Sequence, residues 1–136
     1  MKKFENYVSN LRILEKANQE NLNNEFIISG IIDKFSIQFE LSWKLLKELL
    51  TYEGNKASMT GSPRSIIKEA YVVYPFFNGD IWLDMLKDRN DMAHIYDGIA
   101  AKELVKRILE QYIPQFVALE KELIQIYGDI EKGSFL

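Results

Sequence analysis

Residues 24–53, with the sequence NEFIISGIIDKFSIQFELSWKLLKELLTYE, decide the fold of this chain of 136 residues. Apolar side chains recur in this segment every three or four residues, which places them along one face of a helix. The stripe consists of Ile28, Ile31, Ile32, Phe35, Phe39, Trp43, Leu46, Leu49 and Leu50. Asn24 suits the N-cap of this helix, and Gly54 suits its exit. The pattern therefore predicts one helix of about 30 residues, roughly 45 Å in length.

The same spacing predicts further helices on both sides of this segment. They cover about residues 2–20, 62–73, 81–96 and 99–128. The short one begins at Ser62 and Pro63, because serine caps helices and proline fits the first helical position. Residues 71–74 alone resemble a strand, but the sequence offers no second strand to pair with them. We therefore predict an all-α fold, an antiparallel up-and-down four-helix bundle with one extra short helix.

The predicted bundle is a single domain over residues 1–136, since no repeat or low-complexity segment divides the chain. Pro114 lies inside the last helix and cannot donate a backbone hydrogen bond, so we expect a kink near Glu110–Pro114. Beyond Gly128 the periodicity stops. Residues 129–136 are therefore expected to form a frayed tail.

Composition and charge exclude several classes of protein. The chain has no cysteine and a single histidine, His94, which argues against disulfides, thiolate metal sites and multi-histidine metal centres; we expect neither a metal nor a cofactor. The net charge of -3 argues against strong nonspecific binding of nucleic acid, which is usual for basic proteins. The sequence shows no secretory signal and no apolar run of roughly 18 residues. We therefore expect a cytoplasmic protein with no membrane partner.

One charged side chain interrupts the apolar face of the helix over residues 81–96. That face consists of Trp82, Met85, Leu86, Arg89, Ala93 and Tyr96. A buried guanidinium is costly unless it is paired. Arg89 is therefore expected either to extend its head group to solvent, to pair with Asp88 or Glu40, or to belong to a functional site.

Other polar side chains accompany Arg89. Asn90 and His94 are four residues apart and share a helix face, so their side chains are within reach of a hydrogen bond. Asp97 can orient His94 or cap the next helix. A lone histidine near a helix C-terminus is also often only a favourable partner of the helix dipole. Arg64 stands at the N-terminus of the short helix, where anions bind favourably.

Four segments of the chain resemble one known family. Residues 89–96, RNDMAHIY, resemble the R-x4-H-x-Y motif of HEPN domains, with the common asparagine directly after the arginine. Residues 39–44 (FELSWK), 63–70 (PRSIIKEA) and 81–90 (IWLDMLKDRN) resemble the HEPN subfamily of nucleotidyltransferase substrate-binding subunits.

This resemblance implies a helical bundle that forms a homodimer through the motif-bearing helices and works with a cognate minimal nucleotidyltransferase. In active HEPN proteins the paired arginine and histidine form a metal-independent ribonuclease site, which would make this protein the toxin of a toxin–antitoxin pair. Carried over, Arg89 would stabilise phosphate charge, His94 would act as acid or base, and Tyr96 would receive AMP from the partner. The expected supporting or nucleotide-binding residues are Asn90, Tyr96, Asp97 and Arg64.

The residue types suit cleavage of RNA through its 2′-hydroxyl, which needs a group that titrates near neutrality and a rigid cation. On a straight helix, however, Arg89 and His94 lie about 140° apart. We therefore expect either a distorted helix end or a composite cleft across a two-fold dimer. Two alternatives stay open: a non-catalytic nucleotide- or substrate-binding subunit of a two-component nucleotidyltransferase, and a scaffold dimer whose polar motif fixes only the helix register.

Overall fold

The computed structural model describes residues 1–56, 60–95 and 97–132, with the side chain of His94 excepted. Within these residues the regular structure is helical and contains no strand, which confirms the all-α fold. The helices are α1 (Lys2–Leu14), α2 (Glu25–Tyr52), α3 (Pro63–Val73), α4 (Gly79–Asp91), α5 (Gly98–Arg107) and α6 (Ile113–Ile126). Of the helices described, none is both long enough and apolar enough to cross a lipid bilayer.

Helix α2 is the element against which most of the bundle packs, since it contacts α1, α3, α4 and α5. The side chain of Asn24 caps its first turn, accepting a hydrogen bond from the backbone N–H of Phe26 at 2.8 Å. Beyond its last turn, Gly54 has a φ of 86°, a left-handed conformation that glycine adopts without steric cost. The buried stripe of α2 includes Ile28, Ile31, Phe35, Phe39, Leu45, Leu46, Leu49 and Leu50. The long amphipathic helix that the sequence predicts is thus confirmed.

Buried polar side chains fix how α1 lies on α2. Nδ2 of Asn10 donates to Oε1 of Gln38 at 2.8 Å, and Nε2 of Gln38 donates to the backbone oxygen of Tyr7 at 3.1 Å. Oγ of Ser42 donates to the backbone oxygen of Gln38 at 2.6 Å. The hydroxyl of Tyr7 reaches α6, where it donates to the backbone oxygen of Phe116 at 2.6 Å. Because an unsatisfied buried polar group costs about 1–3 kcal/mol, this network favours one register of α1 against α2.

Helices α5 and α6 form one rod that is interrupted by a π-helical turn. The turn covers Ile108–Tyr112 and ends two residues before Pro114, whose nitrogen carries no hydrogen to donate. The irregularity expected at this place therefore takes the form of a π turn. The turn buries the side chain of Tyr112 in the core, where it stacks on Phe35 with ring centroids 5.3 Å apart.

The last described residues fold back onto the beginning of the chain. Ile130 has no exposed surface, and the amino group of Met1 donates to the backbone oxygens of Ile130 at 3.1 Å and Lys132 at 2.8 Å. The expectation of a frayed tail is therefore wrong for residues 129–132, because an apolar anchor and two hydrogen bonds hold this turn. Residues 133–136 lie outside the described residues.

Replacement of Ile130 by alanine tests this anchor. Ile130→Ala should lower the free energy of unfolding by about 2–5 kcal/mol, because it leaves a cavity at a fully buried position. Ile126→Ala removes the same atoms from a side chain that is 48% exposed, and should cost less than about 1 kcal/mol. Urea denaturation followed by circular dichroism measures both values. Equal losses in the two variants would contradict the anchoring role.

Candidate functional site

Arg89 lies close to the end of α4, at the edge of the core. Asn78 caps the N-terminus of helix α4, since its side-chain oxygen accepts a backbone N–H of the first turn at 3.3 Å. The inner face of the helix is buried and includes Trp82, Met85 and Leu86. Arg89 follows Leu86 by three residues, so its side chain leaves the helix at the border of that face. A quarter of the Arg89 side chain, 25%, is exposed.

Two neighbouring residues of α2 hold the guanidinium of Arg89. Its Cζ lies 5.4 Å from the ring centroid of Phe39, within the range of a cation–π interaction, and its Nη1 donates a hydrogen bond to Oε1 of Glu40. The other carboxylate oxygen of Glu40 lies 3.7 Å from Nζ of Lys44. The predicted pairing of Arg89 with Glu40 is thus confirmed, and the guanidinium is both paired and partly open to solvent.

The pairing with Glu40 leaves hydrogen-bonding capacity on Arg89. A guanidinium carries five N–H donors in a fixed planar arrangement, and Glu40 receives one of them. The Nε atom is buried and has no hydrogen-bond partner among the described residues. An anion that approaches the exposed side of Arg89 would therefore meet Nη donors that no described residue satisfies.

Asp88, the neighbour of Arg89, binds a different arginine. Its two carboxylate oxygens accept hydrogen bonds from Nε and Nη2 of Arg107, at 2.9 Å each. The hydroxyl of Tyr112 donates to the same carboxylate. Burial of Tyr112, together with its hydrogen bond to Asp88, raises the pKa of this tyrosine well above its usual range. The pairing of Asp88 with Arg89 that the sequence allowed is therefore wrong, because Arg107 occupies both oxygens.

Three other predicted site residues, Asn90, Asp97 and Arg64, are exposed on the surface. Asn90 is exposed on α4. Asp97 caps α5, since its Oδ1 accepts a backbone N–H of that helix at 2.9 Å, which confirms one of the two roles expected for it. Arg64 is exposed in the first turn of α3 and forms no ion pair with a described residue. Among the described residues, Arg89 forms its hydrogen bond and ion pair with Glu40 and not with any of these three side chains.

The end of α4 is distorted, which is one of the two arrangements that we expected from the spacing of Arg89 and His94. The α-helix stops at Asp91, and Met92–His94 form a 3-10 turn. Since a 3-10 helix turns about 120° per residue and an α-helix about 100°, the Cα atoms of Arg89 and His94 lie roughly 180° apart around the axis. The distortion therefore separates these two backbone positions instead of bringing them together. Tyr96 and the side chain of His94 lie outside the described residues.

The C-terminal end of the motif borders a cavity of its own, about 620 Å³ in volume, whose walls include Ile28, Ile95 and Asp97. Arg89 is not among the residues that line this cavity. Glu40, which binds Arg89, stands 12 residues after Ile28 on α2, or about 18 Å along the helix axis. Within one chain, the guanidinium of Arg89 and this cavity therefore lie in different places along α2.

Comparison with known proteins identifies the family. Residues 2–125 match the family described as "nucleotidyltransferase substrate binding protein like", which leaves Met1 and residues 126–136 unmatched. The chain belongs to this family. The family suggested by the four sequence segments is thus confirmed. No curated protein shows significant similarity to the chain.

Two features of this nucleotidyltransferase substrate-binding family member escaped the sequence analysis. The first is Arg107, which lies 19 residues after its partner Asp88, a separation that no helix spacing rule links. The second is a cavity beside Trp43, Lys44 and Lys47. The sequence carried a signal for it, because Lys47 follows Trp43 by four residues and Lys44 by three, spacings that place its side chain beside each of them on a helix.

The bond between Tyr112 and Asp88 predicts how the stability of this family member depends on pH. Because the pKa of folded Tyr112 is raised, its contribution to stability is complete below the unfolded pKa of about 10, and it is lost as the pH rises towards the folded pKa. Tyr112→Phe should cost about 1.5–3 kcal/mol at neutral pH and should weaken the decline in stability above about pH 10. Urea denaturation at a series of pH values measures both effects.

Tyr71→Phe is the matched control, because the Tyr71 side chain is 63% exposed. This variant should keep both the neutral stability and the alkaline decline of the unaltered protein. If Tyr112→Phe gave the same pH dependence as Tyr71→Phe, the hydrogen bond to Asp88 would not be a source of alkaline sensitivity.

Proposed function

We propose that this protein acts in the cytoplasm as the helical partner of a separate minimal nucleotidyltransferase, and that the surface around Arg89 is its functional site. The observation that carries the proposal is the guanidinium of Arg89, which Phe39 and Glu40 orient at the end of α4. A fixed, partly exposed cation with unused donors is suited to bind phosphate. Membership of the nucleotidyltransferase substrate-binding family supports the choice of partner.

The reaction that best suits this site is metal-independent cleavage of RNA, by which the protein would serve as the toxin of a toxin–antitoxin pair. In this mechanism His94 removes a proton from the 2′-hydroxyl or donates one to the leaving oxygen, because imidazole titrates near neutral pH. Arg89 stabilises the negative charge that develops on the phosphate oxygens. The partner would neutralise the toxin by adding AMP to Tyr96.

The backbone geometry favours a site shared by two copies of the chain. The Cα atoms of Arg89 and His94 lie on roughly opposite sides of the helix end, so one chain is poorly arranged to direct both residues at one phosphate. A two-fold homodimer that packs the ends of α4 together would place Arg89 of one copy beside His94 of the other. We therefore propose a homodimer with two composite sites.

A cleavage assay tests the assigned residues. The purified full chain should cleave RNA in the presence of EDTA, and Arg89→Ala or His94→Ala should slow cleavage by about 100-fold or more, since general acid–base catalysis contributes about 10²–10⁴-fold. Lys87→Ala removes an exposed cation from the same helix and should leave the rate unchanged. Equal cleavage by the unaltered chain and His94→Ala, with both folded by circular dichroism, would reject the mechanism.

Mixing the two inactive variants tests the shared site. Heterodimers of Arg89→Ala and His94→Ala contain one site in which both residues are intact, if each site draws on both chains. Random exchange of subunits should therefore restore about a quarter of the normal activity. A mixture that stays inactive while mass spectrometry detects the heterodimer would place both residues of a site in one chain.

A second function, that of a non-catalytic nucleotide- or substrate-binding subunit, is favoured by one observation. Glu40 neutralises part of the charge on Arg89 and also contacts Lys44. This arrangement suits the binding of an anion as well as it suits catalysis. This function predicts a stable complex with the cognate nucleotidyltransferase and no RNA cleavage. Co-expression followed by size-exclusion chromatography and the same RNA assay separates the two functions.

The proposed modification by the partner has its own measurement. Incubation with the cognate nucleotidyltransferase and ATP should increase the mass of the chain by one AMP group, and Tyr96→Phe should abolish that increase. Tyr71→Phe, which alters a different tyrosine with 63% exposure, should be modified normally. Modification of Tyr96→Phe to the same extent as the unaltered chain would assign the AMP to another residue.

A further inference from the structure

A cavity lies away from Arg89, on the exposed face of the C-terminal half of α2. Its volume is about 690 Å³, within the range of about 300–1,000 Å³ that is usual for ligand pockets. The walls include Lys3 from α1 and, from α2, Trp43, Lys44, Lys47, Glu48 and Tyr52. The α2 residues recur at intervals that keep them on one side of the helix over more than two turns.

The charge of this cavity is opposite to that of the whole protein. Three lysines and one glutamate line it, which gives a formal charge of +2, whereas the chain carries -3. Lys3 is neutralised by Glu48, with Nζ 2.6 Å from Oε2. Lys44 has only the longer contact of 3.7 Å with Glu40, and Lys47 forms no ion pair with a described residue. Two ammonium groups are therefore available to an anion.

Aromatic side chains accompany these cations. Tyr52 is 55% exposed, and Trp43 is partly exposed, with Nζ of Lys44 located 6.0 Å from the centroid of its ring. The indole Nε1–H of Trp43 is buried and has no acceptor among the described residues. An unsatisfied buried donor is unfavourable, so a ligand atom that reaches it and accepts its hydrogen would stabilise the complex.

Two cations next to exposed aromatic rings select a particular class of ligand. Inorganic anions use the cations only, and apolar molecules use the rings only. A ligand that uses both carries a planar ring system and a phosphate, because bases stack on aromatic side chains while lysine ammonium groups bind phosphate oxygens. We propose that this cavity binds a nucleoside phosphate, with the base beside Trp43 and the phosphate on Lys44 and Lys47.

The cavity is connected to the Arg89 site but is distinct from it. Glu40 contacts both Arg89 and Lys44, so the two sites share one carboxylate on the same face of α2. Arg89 is not among the residues that line the cavity. The proposal therefore adds a second site to the proposed function and does not depend on RNA cleavage.

Tryptophan fluorescence of the full chain tests the proposal. Of the two tryptophans, Trp82 is buried with 1% exposure, so a ligand in the cavity should act on Trp43. Titration with ATP should quench the emission in a saturable way, and Lys47→Glu should raise the dissociation constant at least about tenfold, through repulsion of the phosphate. Lys47→Gln should have a smaller effect in the same direction. Lys121→Glu, the matched change at an exposed lysine outside the cavity, should change binding less than twofold.

Further ligands and one further variant complete the experiment. If the dissociation constant is lower for ATP than for a 5′-phosphorylated oligoribonucleotide, free nucleotide is the ligand. If it is lower for the oligoribonucleotide, the ligand is an RNA end. Both results support the proposal. Arg89→Ala should still bind ATP, even if the proposed ribonuclease activity is never observed. Three results would each overturn the proposal. Neither ligand quenches the emission in a saturable way, Lys47→Glu and Lys121→Glu change binding equally, or inorganic phosphate binds with the same affinity as ATP.

Discussion

Burial of the apolar face of α2 is the constraint on which the rest of the structure depends. Each large apolar side chain of that face gains about 1.5–3 kcal/mol when it leaves water, and four other helices are needed to cover a helix of 28 residues. Burial alone does not fix how the helices slide along one another. The hydrogen bonds of Gln38 to Asn10 and to the backbone of Tyr7 supply that register for α1, because any displacement would leave them unsatisfied.

The same constraint positions the polar surface on the other side of α2. Phe39 is buried, and Glu40 follows it with a rotation of about 100°, which turns its carboxylate out of the core. Lys44 and Lys47 continue the line that Glu40 begins. Arg89 joins this line from α4 because Trp82, on the same helix, packs against Phe39 with ring centroids 6.4 Å apart. The position of the candidate site is thus set by an aromatic contact in the core.

Positive charge on this surface is local and differs in sign from the net charge of the chain. The chain as a whole is acidic, which disfavours nonspecific attraction of nucleic acid, while the face of α2 and Arg89 present cations locally. Glu40 lies between two of these cations and orients Arg89 without consuming all of its donors. Local cations on an acidic protein suit the phosphate-binding role that we propose for it.

The sequence by itself determined the helices, the all-α class and the family. It located α2 within one residue at each end, the cap at Asp97 and the irregular turn before Pro114, because periodicity, capping and the missing N–H of proline act over a few neighbouring residues. Tertiary structure decided which charges meet and which residues are covered. Arg89 pairs with Glu40, which lies 49 residues earlier in the chain. Asp88 binds Arg107 and not its neighbour Arg89. Ile130 is buried, although the sequence predicts a frayed tail there. These outcomes depend on how distant helices pack, and local spacing carries no information about that packing.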